Sequence, residues 1–329
     1  MMQALVYTGV ETLEMRDVQI PVAGAGQALV RVHASGICGS DMHAYLGHDE
    51  RRPAPLILGH EAAGEIVETG RRVTINPLVT CGDCDACKRG RDNLCPDRMI
   101  ISMPPAEGAF APYVAIAEAN LVTVPAHVSY TQAALAEPLA CGWHAVRLAE
   151  EAVDQPLDQA RCLVIGGGAI GVGAALALRA FGAEDITVIE PNDTRRAVLD
   201  GIAGFSAVGQ GGFDGHAHVV IDAVGYAATR ADATAFTHPG GVIAHIGLGE
   251  ATGGLDIRRM TLQEITFIGT YTYTMADFRE TAQAIFDGRL GPLDWVETRP
   301  LDAGAQAFSD LRAGNVAAPK VILIPDHKE

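Results

Sequence analysis

Through about residue 130 apolar and polar positions alternate along the chain, and frequent Gly, Pro, Asn and Asp turn signals interrupt them. That period of two predicts a β-rich domain built from short strands. From about residue 141 to 273 the pattern changes to compact apolar runs alternating with longer helical stretches, which predicts an α/β domain with a doubly wound parallel sheet. RCLVIGGGAIGVGAALALRAFGA, residues 161–183, reads as a buried strand, a glycine turn and a buried helix, and DITVIE, 185–190, as the next strand. Strand-like FSAV (205–208) then reaches strand-like HVVIDAV (218–224) through residues 209–217 alone. Nine extended residues span about 30 Å. Crossing three strand spacings and returning one strand length needs only about 22 Å, so a stretched loop fits and a helix does not.

Composition narrows the class. A chain of 329 residues is long enough for two cores, and 48% hydrophobic with 19% charged residues is a soluble globular balance. The formal charge of −16 argues against a nucleic-acid partner, which would need clustered Lys and Arg. LVIGGGAIGVGAALAL is too short and glycine-rich for a membrane span, and MMQALVYTGVETLEM has no basic start followed by an apolar run. A cytoplasmic protein without a membrane partner is the expectation, in a compartment where disulfides are rare.

Four of the seven cysteines lie in CGDCDACKRGRDNLC, residues 81–95. Cys81, Cys84, Cys87 and Cys95 are awkwardly spaced to bridge one another but well spaced to converge on one ion, so they predict a closed structural zinc site. Such a site has no open position, and the chemistry must lie elsewhere. Three separated segments supply donors for an open one. SGICGSDMHAYLG (35–47) offers Cys38, Ser40, Asp41 and His43; LGHEAAGEI (58–66) offers His60 and Glu61; AEPLACGWH (136–144) offers Glu137, Cys141 and His144. Singly, each has an ordinary structural explanation. Together, thiolate, imidazole and carboxylate form the ligand mixture of a catalytic zinc.

In the second domain Gly166, Gly168 and Gly171 form G-x-G-x-x-G between strand and helix, with Ile170 beside the last glycine. This arrangement sets a pyrophosphate on the helix N-terminus. Glu190, 19 residues after Gly171, stands where a carboxylate accepts the adenosine ribose hydroxyls and repels a 2′-phosphate. NAD is expected in preference to NADP; Arg195 and Arg196 nearby keep NADP open, with Arg195 expected near the adenine end.

The run C-G-S-D-x-H, then G-H-E-x-x-G, the four-cysteine lobe, E-P-L and the glycine motif resembles the zinc-dependent medium-chain alcohol dehydrogenases, most closely the polyol (sorbitol-type) branch, over nearly the whole chain. The resemblance implies a GroES-like catalytic domain, residues 1–140 and 274–329, around a Rossmann domain, 141–273, with the active site in the cleft between them. Helical MADFRETAQAIFDGRL and strand-like KVILIP would return to the first domain. It implies one catalytic and one structural zinc, and a homodimer or homotetramer. Cys38, His60 and either Glu61 or Glu137 would hold the catalytic metal, with Cys141 an alternative ligand and Asp41 accepting from a ring nitrogen of His60. Ser40 would take the substrate proton and pass it through the cofactor ribose to His43.

Two departures from the family stand out. The loop between GHEAAGEIVETG and RRVTINP is short, and the 209–217 crossover lacks its usual helix. Where related polyol enzymes often carry an arginine, GTYTYT (269–274) has Tyr271, Thr272 and Tyr273. With Glu137 and a polar-tolerant Tyr45, the expected substrate is a sugar alcohol, sugar acid or other vicinal diol. The alternatives are a simple secondary alcohol or a threonine-type substrate, or a silent zinc- and NAD-binding sensor.

Overall fold

A computed structural model of the chain describes residues 1–327. It divides into two compact units. One comprises Met1–Glu137, Thr274–Asp287 and the segment from Val296; the other comprises Pro138–Tyr273 and Gly288–Trp295.

The first unit is built on the strand Gln27–Gly36. Ala28, Val30, Val32 and Ala34 are buried in alternation with half-buried Leu29, Arg31 and His33, so one face meets the core. That strand pairs antiparallel with Glu61–Ile66, Tyr113–Ala117 and Lys320–Ile324. The short loop foreseen between Ile66 and Arg72 is a tight turn in which Gly70, at φ 67°, donates its N–H to Ile66 O at 2.8 Å. Val30, Val32, Val73, Ile75, Val114 and Ile116 fill one core. Tyr45 packs in a second, 5.2 Å from the ring of Phe308 and 5% exposed. The expectation that Tyr45 meets a polar substrate is therefore corrected: its bulk is spent on packing.

The second unit holds six parallel strands. These are β1 (Arg161–Ile165), β2 (Asp185–Ile189), β3 (Ser206–Val208), β4 (Ala217–Asp222), β5 (Thr237–His245) and β6 (Thr266–Gly269), in the order 3-2-1-4-5-6. This is the doubly wound dinucleotide-binding topology. The link from β3 to β4 crosses β2 and β1 in residues 209–216 with no helix. β4 begins one residue earlier than its sequence pattern suggests, and eight extended residues, about 27 Å, still suffice. In place of a helix, Phe213 enters the core on this face, its ring edge-on to Phe236 at 5.3 Å. The Arg161 guanidinium lies 4.3 Å over the Phe213 ring, and its Nη1 donates to Asp214 O at 2.7 Å.

Candidate metal and dinucleotide sites

The central strand of the first unit ends at Gly36, level with Glu61 on one neighbouring strand and Ile322 on the other. A side chain on Gly36 would overlap the Glu61 carboxylate, so the absence of one is what admits that carboxylate between the strands. Two residues on, Cys38 caps the helix Gly39–Tyr45. Asp41, fully buried, fixes both flanks: its Oδ2 accepts from Cys38 N at 3.0 Å and its Oδ1 from Gly59 N at 3.2 Å. Cys38 is thereby tied to the segment that carries His60.

Cys38, His60 and Glu61 present ligand atoms that all lie within 4.8 Å of one another. His60 Nδ1 sits 3.4 Å from Asp41 Oδ1 and 3.2 Å from Ser102 Oγ. Burial pulls the imidazole pKa down, but the charges of Asp41 and Cys38 outweigh it and hold it well above the ordinary value. Burial likewise pushes the Asp41 carboxyl up, and His60, with Arg52 and the Cys38 amide, brings it below its ordinary value. Ser40 Oγ lies 3.4 Å from His60 Nε2, and His43 is exposed, its ring 6.5 Å from that of His48.

Glu61 is fully buried. Its Oε1 accepts from Lys320 Nζ at 2.6 Å, while Oε2 has no hydrogen-bond partner among the described residues. Lys320 also donates to Ile37 O at 2.9 Å. Burial lowers the Lys320 pKa, but Glu61 first, then Cys38 and Glu137, keep the ammonium above its usual value. A partnerless buried carboxylate oxygen beside a thiol and an imidazole is an incomplete set that a bound cation completes, so these residues fit zinc. Glu137, buried at the start of the helix Ala136–Ala152, is outside the group of three; Cys141 is half-buried on the same helix.

The four lobe cysteines are free thiols within 4.8 Å of one another. Cys81 Sγ is 3.5 Å from Cys95 Sγ and 4.0 Å from Cys87 Sγ, far too long for a disulfide. Four sulfurs each about 2.3 Å from a tetrahedral zinc lie about 3.8 Å apart, so this spacing fits the ion. The N–H groups of Asp83 and Cys84 aimed at Cys81 Sγ lower its pKa to about 7, which favours the thiolate a metal requires.

In the second unit Gly166 adopts φ 101°, a turn open to glycine. A β carbon on Gly171 would strike the Gly166 carbonyl, whereas one on Gly168 would meet nothing within 4 Å. Gly171 is thus bare for packing, and Gly168 leaves open a space that a pyrophosphate fits. Ile170 is half-buried in the first helical turn. Glu190, buried just beyond β2, accepts from Gly167 N at 3.0 Å and Asn192 N at 2.8 Å. Arg195 Nη1 is 3.4 Å from Glu190 Oε2, and Arg196 Nη1 donates to Glu190 O at 2.9 Å.

Sequence reasoning missed Ser102, Arg52 and Lys320. Arg52, buried, donates through Nε to Ser102 O at 3.1 Å and holds the loop whose hydroxyl reaches His60. The one signal was charge in an apolar frame: Lys320 inside the strand-like KVILIP.

The family model for the alcohol dehydrogenase GroES-like domain matches residues 24–126, and that for zinc-binding dehydrogenases matches residues 169–287. L-galactonate-5-dehydrogenase of Escherichia coli (strain K12) is 31% identical over 309 residues, covering 88% of this chain and 88% of its own. Sorbitol dehydrogenase of Arabidopsis thaliana is 30% identical over 293 residues, covering 80% and 79%. Among solved structures, 2R,3R-butanediol dehydrogenase from Bacillus subtilis is 25% identical with a TM-score of 0.86, covering 99% of this chain and 100% of that one. At such identity over such a length, this chain belongs to the zinc-dependent medium-chain alcohol dehydrogenase superfamily, within its polyol branch.

Proposed function

We propose that this enzyme oxidises a secondary alcohol with a neighbouring hydroxyl, a polyol or sugar acid, using one catalytic zinc and NAD, with a second zinc as a structural staple. The observation that carries the reading is the buried group of Cys38, His60 and Glu61 with one carboxylate oxygen left unpartnered. Similarity to relatives named for sorbitol, L-galactonate and butanediol supports the substrate class.

A bound zinc supplies Lewis-acid polarisation of the substrate hydroxyl, and a bound nicotinamide supplies the hydride acceptor. Cys38, His60 and Glu61 would hold the metal, with Glu137 the alternative carboxylate. Asp41 and Ser102 at Nδ1 leave His60 Nε2 as the ligating nitrogen and fix the ring. Lys320 steadies Glu61 by pairing with Oε1. Ser40, beside Nε2, receives the hydroxyl proton, and exposed His43 delivers it to solvent. Glu190 accepts the adenosine ribose hydroxyls; its charge disfavours a 2′-phosphate, and Arg195 already faces that carboxylate, which supports NAD over NADP. Cys81, Cys84, Cys87 and Cys95 would hold the staple. Cysteines that form no disulfide among the described residues support a cytoplasmic setting, and the family implies a homodimer or homotetramer.

The test is to load the protein with zinc and follow nicotinamide absorbance with NAD or NADP against polyols, sugar acids, threonine and simple alcohols. Turnover of a polyol or sugar acid with NAD is expected. Turnover confined to threonine or a simple alcohol would overturn the substrate class, and preference for NADP would overturn the cofactor choice.

A further inference from the structure

The second unit carries a polar pair that none of the roles above uses. Asp222 ends β4 and is fully buried. Its Oδ1 accepts from the N–H groups of Val224 and Gly225, each at 3.0 Å, and its Oδ2 from Thr229 Oγ1 at 3.1 Å. His245 ends the adjacent strand β5, in register with Asp222, with Nδ1 3.1 Å from Asp222 Oδ2. Burial pushes the Asp222 carboxyl up, but His245 and the two amides outweigh it, so the carboxylate persists below its ordinary range. The surrounding backbone is tightly set. Ile246 and Gly247 both donate N–H to Asp222 O, and a β carbon on Gly225 or Gly247 would overlap the opposing segment.

As filler this pair is costly. An apolar residue at 245 would pack beside Phe267, whose ring lies 5.5 Å away, with no need for a buried carboxylate. Location offers a better reason. In this topology ligands lie beyond the carboxyl ends of the strands, and each three-strand half serves one mononucleotide. Glu190 follows β2, the middle of the 1-2-3 set by chain order; His245 ends β5, the middle of the 4-5-6 set. His245 is therefore the counterpart of Glu190 for the second ribose. An independent sign lies at the same end. Thr272, three residues past β6, has φ 46° and a buried hydroxyl with no hydrogen-bond partner among the described residues. Its segment is tied to His245, because Thr270 N and Oγ1 both donate to His245 O, at 2.9 and 3.1 Å.

We propose that His245, oriented by Asp222, binds the nicotinamide–ribose half of the dinucleotide through Nε2, with the Thr272 hydroxyl serving the same end. The inference rests on the dinucleotide reading above. With Nδ1 turned to the carboxylate at 3.1 Å, Nε2 is the ring nitrogen left to meet a ribose hydroxyl or the carboxamide.

The experiment titrates zinc-loaded wild type, His245→Leu and Asp222→Asn with NADH and, separately, with AMP, by calorimetry. AMP occupies the Glu190 end alone. His245→Leu is expected to weaken NADH roughly five- to tenfold, the worth of one good hydrogen bond, and to leave AMP unchanged. Asp222→Asn should give part of the same selective loss. NADH affinity unchanged in His245→Leu would overturn the inference, as would equal weakening of NADH and AMP, which marks a role in the fold alone. Wild type that binds neither nucleotide would overturn the dinucleotide reading itself and this inference with it.

Discussion

Buried Glu61 is paired with a lysine 259 residues away in the sequence. Replacing Lys320 by Met leaves that carboxylate without its cation and frees it to turn from the proposed metal site. The expected loss is about ten- to hundredfold in zinc affinity, the range for groups that orient a ligand, read by chelator competition. A second residue-scale effect concerns pH. His218 and His238 have ring centroids 4.9 Å apart, and His218 Nδ1 accepts the Arg161 N–H at 2.9 Å. Burial first, then His238 and Arg161, lower the His218 pKa against the pull of Asp154. A folded pKa below the unfolded one means that the folded chain binds fewer protons. This stability is complete above pH 6.5 and declines as the pH falls through the folded value. Thermal unfolding between about pH 7.5 and 5 should show that decline, and His238→Gln should flatten it.

Among the elements, the glycine turn separates packing from binding. Gly171→Ala forces a β carbon onto the Gly166 carbonyl and should sharply destabilise the second unit. Gly168→Ala meets open space, so its melting temperature should stay near wild type while NADH affinity falls. Calorimetry and a thermal melt on both variants test the contrast. Phe213→Ala, in the crossover that lacks a helix, should cost about 3–5 kcal/mol in urea unfolding, because it empties a buried ring's place in the core beside Phe236. This element also shows what the sequence made legible. Counting residues between strand patterns was enough to exclude a helix there, since chain reach is a local property. That Phe213 replaces the helix as a core plug was not legible, because an isolated aromatic in a loop says nothing about which face of a distant sheet it meets.

For the molecule as a whole, local spacing was enough to foresee that the four lobe cysteines converge, that the glycine motif forms its turn and that Cys38, His60 and Glu61 come together, since their donors lie in short motifs. Lys320 and the Asp222–His245 pair stayed hidden because only strand pairing brings them to their partners, and Ser102 and Arg52 because loop packing does. Tyr45 was misread for the same reason: an aromatic beside site residues in sequence packs in the core against Phe308. The lobe offers a molecule-scale test. Asp92, between its cysteines, accepts the N–H of Met275 at 3.0 Å, so the lobe is anchored to the helix Met275–Phe286. Cys84→Ser should lower bound zinc by about one equivalent per chain and speed proteolysis between residues 81 and 95, with NADH affinity unchanged. Mass spectrometry of timed digests, beside metal analysis, would show it.

The Lys320–Glu61 pair also sets an order of events during synthesis. The ribosome makes the motifs that supply Cys38, His60 and Glu61 early, yet the strand bearing Lys320 emerges only after the entire second unit. At about 5–20 residues per second, 259 residues take roughly 13–52 s. For that interval the nascent chain carries Cys38, His60 and Glu61 without the lysine that pairs with the carboxylate. On the proposed zinc reading, final tuning of the three is a late event, and a ribosome stalled before the last strand would display residues that bind the ion loosely.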